Sequence, residues 1–402
     1  MRTLFFLTLA SLICFVSCKD DDEVALVDVN TSIFTIKAPA GTEIISISDV
    51  SISFTEMKSL REYSALLGEV VTLPMGLYDC SYETKAVLKD ESSISEAVIY
   101  GKYPNLVVSN NMEPVSLETF LRPRNGDFVI EEIFCSSTAN AKGTAYQFDT
   151  YMKVYNNSDV VLFADRMALV ESQFIASTYF DYTPDMRDSR VAIKAFYVVP
   201  GSGTDYPINP GESFIICSQA QNHSLINEGS VDTSIADFEV YDESTVPTQM
   251  DVDNESVPNM ERWYSDTKTI WGFSMQGNRS IAIARVPQNV SMDDFVEMGT
   301  YSYSYVNQGK TMTRSAYWIP NEWVIDGVNM CPVDMWKWNI FLPNIDAGYT
   351  YSNETNANKA QLGLSVVRKT ASTTEDGIRK LQDTNDSSVD FLTAQTPTLL
   401  NK

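Results

Sequence analysis

Acid–base and nucleophilic chemistry is restricted in this chain because it contains a single histidine, His223. A Ser–His–Asp triad needs a histidine as general base, and no Gly-x-Ser-x-Gly elbow lies near His223. A hydrolytic zinc centre needs three protein ligands, which one histidine and widely spaced cysteines do not supply. The sequence therefore argues against both mechanisms, and we predict that His223 lies in a surface loop.

Carboxylates are abundant, with 53 Asp and Glu residues against 29 Lys and Arg. Two carboxylates can hydrolyse a glycosidic bond without histidine, and Asp326, Asp383, Asp386 and Asp390 are the candidates for such a pair. Most acidic side chains lie in water, so a glycan hydrolase is the alternative here and a noncatalytic protein is favoured. The formal net charge of -24 makes nucleic acid and anionic lipid poor partners.

Hard oxygen donors are densest near the C-terminus, at Asp383, Asn385, Asp386 and Asp390. These residues are candidate calcium ligands, although the segment lacks the glycine and terminal glutamate of an EF-hand loop. Side chains of this type also form Asx turns and helix caps, and we favour that role. Calcium is thus a possible cofactor, and no other cofactor is expected.

All six tryptophans fall within the 76 residues from Trp263 to Trp338. Clustered rings can form a stacking platform for a glycan or a peptide, and they can also build a core, which we favour. The candidates for a binding surface are Trp271, Trp323, Trp336 and Trp338. If residues 336–338 form a strand, the rings of Trp336 and Trp338 share one face.

Four cysteines after residue 18 lie beside apolar stretches, and no two of them form a Cys-x-x-Cys motif: Cys80, Cys135, Cys217 and Cys331. Buried free thiols are the favoured interpretation. Disulfides are the alternative, since an exported location would permit them.

The N-terminus has the pattern of an export signal. Arg2 precedes an apolar run, residues 4–16, that is too short to span a bilayer comfortably. The run ends at Ser17-Cys18, which resembles the lipobox of bacterial lipoproteins; an ordinary secretory signal with an incidental cysteine is the alternative. We predict a signal peptide at residues 1–17, acyl chains such as palmitate on Cys18, and an acidic tether at residues 18–30.

The charged run behind Cys18 carries a second resemblance. Lys19, Asp20, Asp21, Asp22 and Glu23 resemble the signal that sends Bacteroidetes lipoproteins to the outer face of the outer membrane. This resemblance implies a lipid-anchored protein of the outer membrane that faces the cell exterior.

Short alternating segments predict strands in the first third of the chain. In residues 78–83, two tyrosines and a cysteine face one side, after a turn at residues 74–76. Further strands are expected at residues 33–36, 50–54, 70–73 and 106–109, with one helix at residues 57–67. We therefore predict a β-sandwich at residues 31–122, resembling immunoglobulin-like or carboxypeptidase-regulatory-like surface modules, and a domain boundary at residues 122–126.

The order of segments after residue 126 resembles a lamin-tail type of β-sandwich. The resemblance rests on residues 128–134, 151–158 and 210–216, followed by residues 323–328, 363–369 and 381–391. Together these segments resemble an uncharacterised family of Bacteroidetes surface lipoproteins defined by a domain of unknown function. The resemblance implies a mainly β protein, with a larger lamin-tail-like β-sandwich domain with long loops at residues 126–402. The resemblance assigns no catalytic residues to this chain.

Two segments lack a clear apolar period. Residues 222–258, which include the acidic group Asp251, Asp253 and Glu255, are predicted to form a long surface loop. Residues 383–402 are predicted to pack as irregular coil.

The function expected from these features is noncatalytic. The chain would bind a glycan or peptide, or act as an accessory subunit of an outer-membrane partner. The family resemblance alone implies that the protein acts together with a TonB-dependent nutrient importer.

Overall fold

The computed structural model describes residues 25–39, 42–59, 61–89, 94–121 and 127–400. The chain divides into two compact units, residues 1–120 and 121–402. Both are built mainly of antiparallel sheets, so the predicted mainly β architecture is confirmed. In the described part of the chain, no helix is long and apolar enough to cross a membrane. The signal peptide, Cys18, the run from Lys19 to Glu23 and the boundary at residues 122–126 lie outside the described residues.

The strands of the first unit are β1 (Leu26–Asn30), β2 (Phe34–Ile36), β3 (Glu43–Ile47), β4 (Ser51–Glu56), β5 (Glu62–Leu66), β6 (Val70–Pro74), β7 (Gly76–Lys89), β8 (Ile94–Val108) and β9 (Val115–Leu121). They are organised around one sheet with the strand order β2-β9-β8-β7-β4-β5, in which β3 also pairs with β7, while β1 and β6 form a separate ribbon. Tyr78, Cys80 and Tyr82 on β7 are buried, because the alternation of a strand places all three on one face.

The predicted helix at residues 57–67 is wrong. A turn follows Glu56, and β5 then pairs antiparallel with β4, with Tyr63 opposite Phe54. The composition of this segment permits a helix, but the edge of β4 offers backbone partners that the segment satisfies as a strand.

The second unit contains a six-stranded sheet with the order β17-β16-β11-β10-β23-β26 and a seven-stranded sheet with the order β20-β21-β14-β13-β19-β22, in which β18 pairs with β14. Its strands are β10 (Phe128–Phe134), β11 (Tyr151–Asn156), β12 (Leu162–Phe163), β13 (Met167–Ser172), β14 (Arg190–Val198), β15 (Pro207–Ile208), β16 (Ser213–Cys217), β17 (Phe238–Glu239), β18 (Glu261–Ser265), β19 (Ile281–Arg285), β20 (Tyr301–Asn307), β21 (Lys310–Pro320), β22 (Val324–Val328), β23 (Ser365–Arg368), β24 (Thr370–Thr373), β25 (Arg379–Leu381) and β26 (Phe391–Gln395). Two short helices are α1 (Met292–Met298) and α2 (Ser387–Asp390).

The central strands of the seven-stranded sheet, β13 and β19, are buried on both faces. Leu169 of β13 and Ile283 of β19 pack with residues of the six-stranded sheet, such as Val154, in one core. Val170 of β13 points to the opposite side and joins a second core with Trp338, from a long loop. The second unit therefore has two layers of sheet with a third layer of loops.

Residues 222–258 are only partly a surface loop. They include a 3-10 turn, His223–Leu225, and strand β17. Val231 and Val257 are buried in a core with Phe134. The prediction of irregular coil for residues 383–402 is wrong, because this segment forms α2 and β26, which pairs with β23.

The four described cysteines are buried free thiols, as predicted. Burial raises the pKa of Cys80 and of Cys331 to about 12. These thiols are neutral near pH 7 and pack as small apolar side chains.

Candidate functional site

His223 is buried, so its predicted place in a surface loop is wrong. Its Nε2 lies 3.1 Å from the carbonyl oxygen of Gln219, and its Nδ1 lies 3.2 Å from the hydroxyl of Tyr146. Burial lowers the pKa of His223, which favours the neutral ring. The imidazole therefore fixes the turn that carries it, with neither nitrogen facing solvent.

The candidate tryptophans do not assemble into one surface. Trp271 and Trp323 are buried in separate cores, and the indole Nε1 of Trp271 donates to Glu171 over 3.0 Å. Residues 336–338 are not a strand. Trp336 is 38% exposed and stacks on Tyr349 with ring centroids 5.1 Å apart, while Trp338 is buried.

The candidate calcium ligands act as local hydrogen-bond acceptors. The Asp390 carboxylate accepts the backbone N–H of Thr384 over 2.8 Å and its hydroxyl over 2.9 Å. Asp386 caps α2 through the N–H of Ser388, and Asp383 forms an ion pair with Arg368 over 3.2 Å. Among the described residues, no three His, Cys, Asp or Glu side chains form a metal-ligand set.

Asp326, the remaining candidate acid, is also buried. Its carboxylate pairs with the guanidinium of Arg368 and accepts the N–H of Ile130 over 2.7 Å. A carboxylate held between these donors anchors two strands and does not reach a substrate.

A different group of side chains forms the most distinctive surface of the second unit, which we name the aromatic face. Its members come from the loop after β13, from β20 and from the loop after β22: Phe174, Tyr179, Phe180, Tyr182, Tyr303, Tyr305 and Trp338. Tyr179 is 54% exposed, whereas Phe174, Tyr303 and Trp338 are buried beneath the partly exposed rings. The cluster thus has a buried, packed side and a side that is accessible to solvent.

Two structural features position the aromatic face. On β20 the alternation of tyrosine and serine places Tyr301, Tyr303 and Tyr305 on one side, and the stacked rings of Tyr303 and Tyr305 lie 6.3 Å apart. Thr183 and Ser304 exchange backbone hydrogen bonds of 2.8 and 2.9 Å, which attach the loop to this strand.

Tyr182 lies at the centre of the cluster. Its ring centroid is 4.5 Å from that of Phe174 and 5.4 Å from that of Tyr305, and it lies 5.7 Å from Trp338. Burial, reinforced by the neighbouring tyrosines, raises the pKa of Tyr182 to about 12. Its phenol is therefore neutral and can both donate and accept a hydrogen bond.

The loop is also fixed from below. The indole N–H of Trp338 donates to the carbonyls of Ile175 and Thr178 over 3.0 Å each. The Arg187 guanidinium lies 4.8 Å from the Trp338 ring centroid and is paired with Asp185. The rings are thus held before any ligand arrives, which lowers the entropy lost on binding.

The tryptophan positions alone do not predict this site, because only Trp338 belongs to it. The visible signal was the alternation Tyr301-Ser302-Tyr303-Ser304-Tyr305, which predicts a strand with an aromatic side. Tyr179, Phe180 and Tyr182 lie more than a hundred residues earlier in the chain, so no local pattern joins them to that strand.

Comparison with known proteins supports the predicted resemblance in its coarser form. No curated protein matches the chain. The crystal structure of a DUF4876 family protein from Bacteroides thetaiotaomicron is similar, with a TM-score of 0.56 and 21% sequence identity, covering 94% of this chain and 96% of that chain. At this identity the likeness shows the fold alone. The model of the family described as a protein of unknown function (DUF4876) matches residues 209–398 of this chain, most of its second unit.

Proposed function

We propose that this protein is a lipid-anchored protein of the outer membrane, facing the cell exterior, that binds a glycan on its aromatic face without cleaving it. The lipobox-like Ser17-Cys18 and the acidic run behind it support the location. In this proposal the first unit is an immunoglobulin-like sandwich and the second a lamin-tail-like sandwich that carries the site. Acyl chains on Cys18 would hold the protein at the membrane.

The single observation that carries the binding proposal is the half-exposed, pre-packed ring cluster around Tyr182. Sugar rings present an apolar face of C–H groups and a rim of hydroxyls. Partly exposed rings such as Tyr179 and Phe180 can pack against the apolar face of the sugar. Neutral phenols can form hydrogen bonds with the hydroxyls of the sugar. A cluster kept at the surface, at the cost of exposing aromatic area, is typical of a binding site.

The carboxylates with shifted pKa values near this surface favour binding over hydrolysis. A glycosidase needs two carboxylates about 5–10 Å apart beside the sugar, one with a raised pKa. Beside the aromatic face, Asp185 is paired with Arg187, and this pairing lowers the pKa of Asp185. Glu171 and Asp346 have raised pKa values through burial, but both are buried side chains held by N–H donors. Neither is available as an acid catalyst at this surface.

The direct test is glycan binding by the mature chain carrying Cys18→Ser, which removes the lipid. Titration of oligosaccharides selected on a glycan array should show binding that Tyr182→Ala and Tyr179→Ala each weaken at least tenfold. Tyr103→Ala is the matched control, because Tyr103 is an exposed tyrosine of the first unit. Equal binding by all variants would refute the site, and new reducing ends in the product would favour the hydrolase.

The accessory role needs a separate experiment. The native lipidated protein, used as bait in solubilised outer membranes, should recover a TonB-dependent importer barrel in stoichiometric amount. Recovery of the bait alone would contradict the importer partnership while leaving glycan binding to the preceding test.

A further inference from the structure

The second unit contains a long segment without positive charge. From Ala195 to Glu261 there is no Lys or Arg, while twelve Asp and Glu residues occur. The only histidine, His223, lies in this segment and is buried with a lowered pKa, so it adds no charge near pH 7. Asp242 pairs with Arg262 just beyond this segment and Glu239 is buried, and the exposed carboxylates that remain give the segment a net negative charge.

An open cleft of about 450 Å³ lies within this segment. Its lining includes Leu225 and Ile226, whose side chains are 83% and 64% exposed. Asp253 and Glu255, both exposed, also line it, together with polar residues such as Ser234. Two adjacent exposed apolar side chains offer area that a partner could bury.

The cleft is held in shape by one buried carboxylate. Glu239 accepts the N–H of Ala220 over 2.8 Å and the N–H of Asn254 over 2.7 Å, and both of these residues line the cleft. The Asn254 side chain donates across to the carbonyl of Ala220 over 2.9 Å. The two chain segments that line the cleft are therefore held together by these hydrogen bonds.

We propose that this cleft is a docking site for a cationic, amphipathic segment of a partner protein. The apolar side chains of that segment would pack on Leu225 and Ile226, and its lysines or arginines would pair with Asp253 and Glu255. Charge complementarity selects this occupant, because the surrounding carboxylates repel acidic peptides and anionic glycans. The apolar wall distinguishes the segment from a purely charged ligand.

The test uses the mature chain carrying Cys18→Ser and a labelled synthetic peptide of alternating leucine and lysine pairs. Fluorescence anisotropy should show saturable binding that Asp253→Asn with Glu255→Gln weakens at least tenfold. Leu225→Ser with Ile226→Ser should weaken it to a similar extent. All four residues are exposed, so these variants are expected to fold, and circular dichroism checks this.

Matched controls separate the site from general attraction to a polyanion. Glu375→Gln with Asp376→Asn removes two exposed charges in the β24–β25 turn, and Val333→Ser removes an exposed apolar side chain. Neither control should change the affinity, and a lysine–serine peptide of equal charge should bind at least tenfold more weakly. The proposal is overturned by equal loss in the controls, by equal binding of the lysine–serine peptide, or by no saturable binding at all.

Discussion

Single buried carboxylates organise the loops of this protein, and Asp346 is the clearest case. It accepts the backbone N–H groups of Asn329, Ser387 and Gly348 over 2.5, 2.8 and 3.1 Å. The same carboxylate also accepts the Ser387 hydroxyl. Burial outweighs these donors and raises the pKa of Asp346 to about 6, from an ordinary value of 3.8.

This raised pKa predicts a loss of stability as the pH rises. The folded protein keeps the Asp346 proton up to about pH 6, whereas the unfolded chain releases it near pH 4, so deprotonation between these values favours unfolding. We expect the stability advantage of the wild type over Asp346→Asn to shrink by roughly 1–3 kcal/mol from pH 4 to pH 7. Urea denaturation at four pH values measures this difference, and parallel profiles would contradict it.

A second residue-scale prediction concerns Arg368, whose buried guanidinium pairs with Asp326 and donates to the carbonyl of Ile130 over 2.7 Å. Arg368→Met leaves a buried negative charge without its partner, which typically costs about 3–5 kcal/mol. The double variant with Asp326→Asn removes both charges and should recover part of that loss. The free energies of unfolding of the two single variants and the double variant form a cycle, and strict additivity would show that the pair is not coupled.

At the scale of elements, α1 illustrates a short helix that depends on its first turn. The Ser291 hydroxyl accepts the N–H of Asp294 over 3.1 Å, while the Asp294 carboxylate accepts the N–H of Ser291 over 2.7 Å. This capping box presents Phe295 to a pocket formed by Phe196 and Trp263.

We expect Ser291→Ala to lower the free energy of unfolding by about 1 kcal/mol, because a seven-residue helix has little other support for its free N–H groups. Ser302→Ala, at an exposed position of β20, is the control and should change stability far less. Chemical denaturation of the two variants compares these values, and an equal effect would show that the cap contributes nothing.

The sequence predicted those elements whose signal is local. The alternating residues of β7 and the tyrosine alternation of β20 each specify a strand within a few positions. Burial of His223 depends on Tyr146, 77 residues away, and β5 is a strand because β4 pairs with it. The aromatic face likewise needs the Thr183–Ser304 pairing. These features depend on contacts between distant parts of the chain, which local sequence patterns do not predict.

On the scale of the whole molecule, the two proposed surfaces differ in chemistry and both lie in the second unit. The aromatic face offers neutral rings and phenols, whereas the cleft at Leu225 combines apolar side chains with exposed carboxylates. A neutral glycan and a cationic protein segment would therefore not compete for one site. Simultaneous binding of both is what an accessory subunit would require.

The division into two units makes a prediction for unfolding of the whole chain. Each unit has its own buried apolar residues, such as Ile52 and Phe54 in the first and Ile283 and Phe196 in the second, and a unit with its own core can unfold independently. Calorimetry should therefore resolve two transitions, the smaller from the first unit.

Matched core substitutions assign those transitions. Ile52→Ala and Ile283→Ala each remove a side chain that is almost wholly buried and should cost about 2–5 kcal/mol. If the units unfold independently, Ile52→Ala lowers only the midpoint of the smaller transition and Ile283→Ala only that of the larger. A single transition that both substitutions shift equally would mean that the two cores unfold as one cooperative unit, since a loss confined to either core would then be shared by the whole chain.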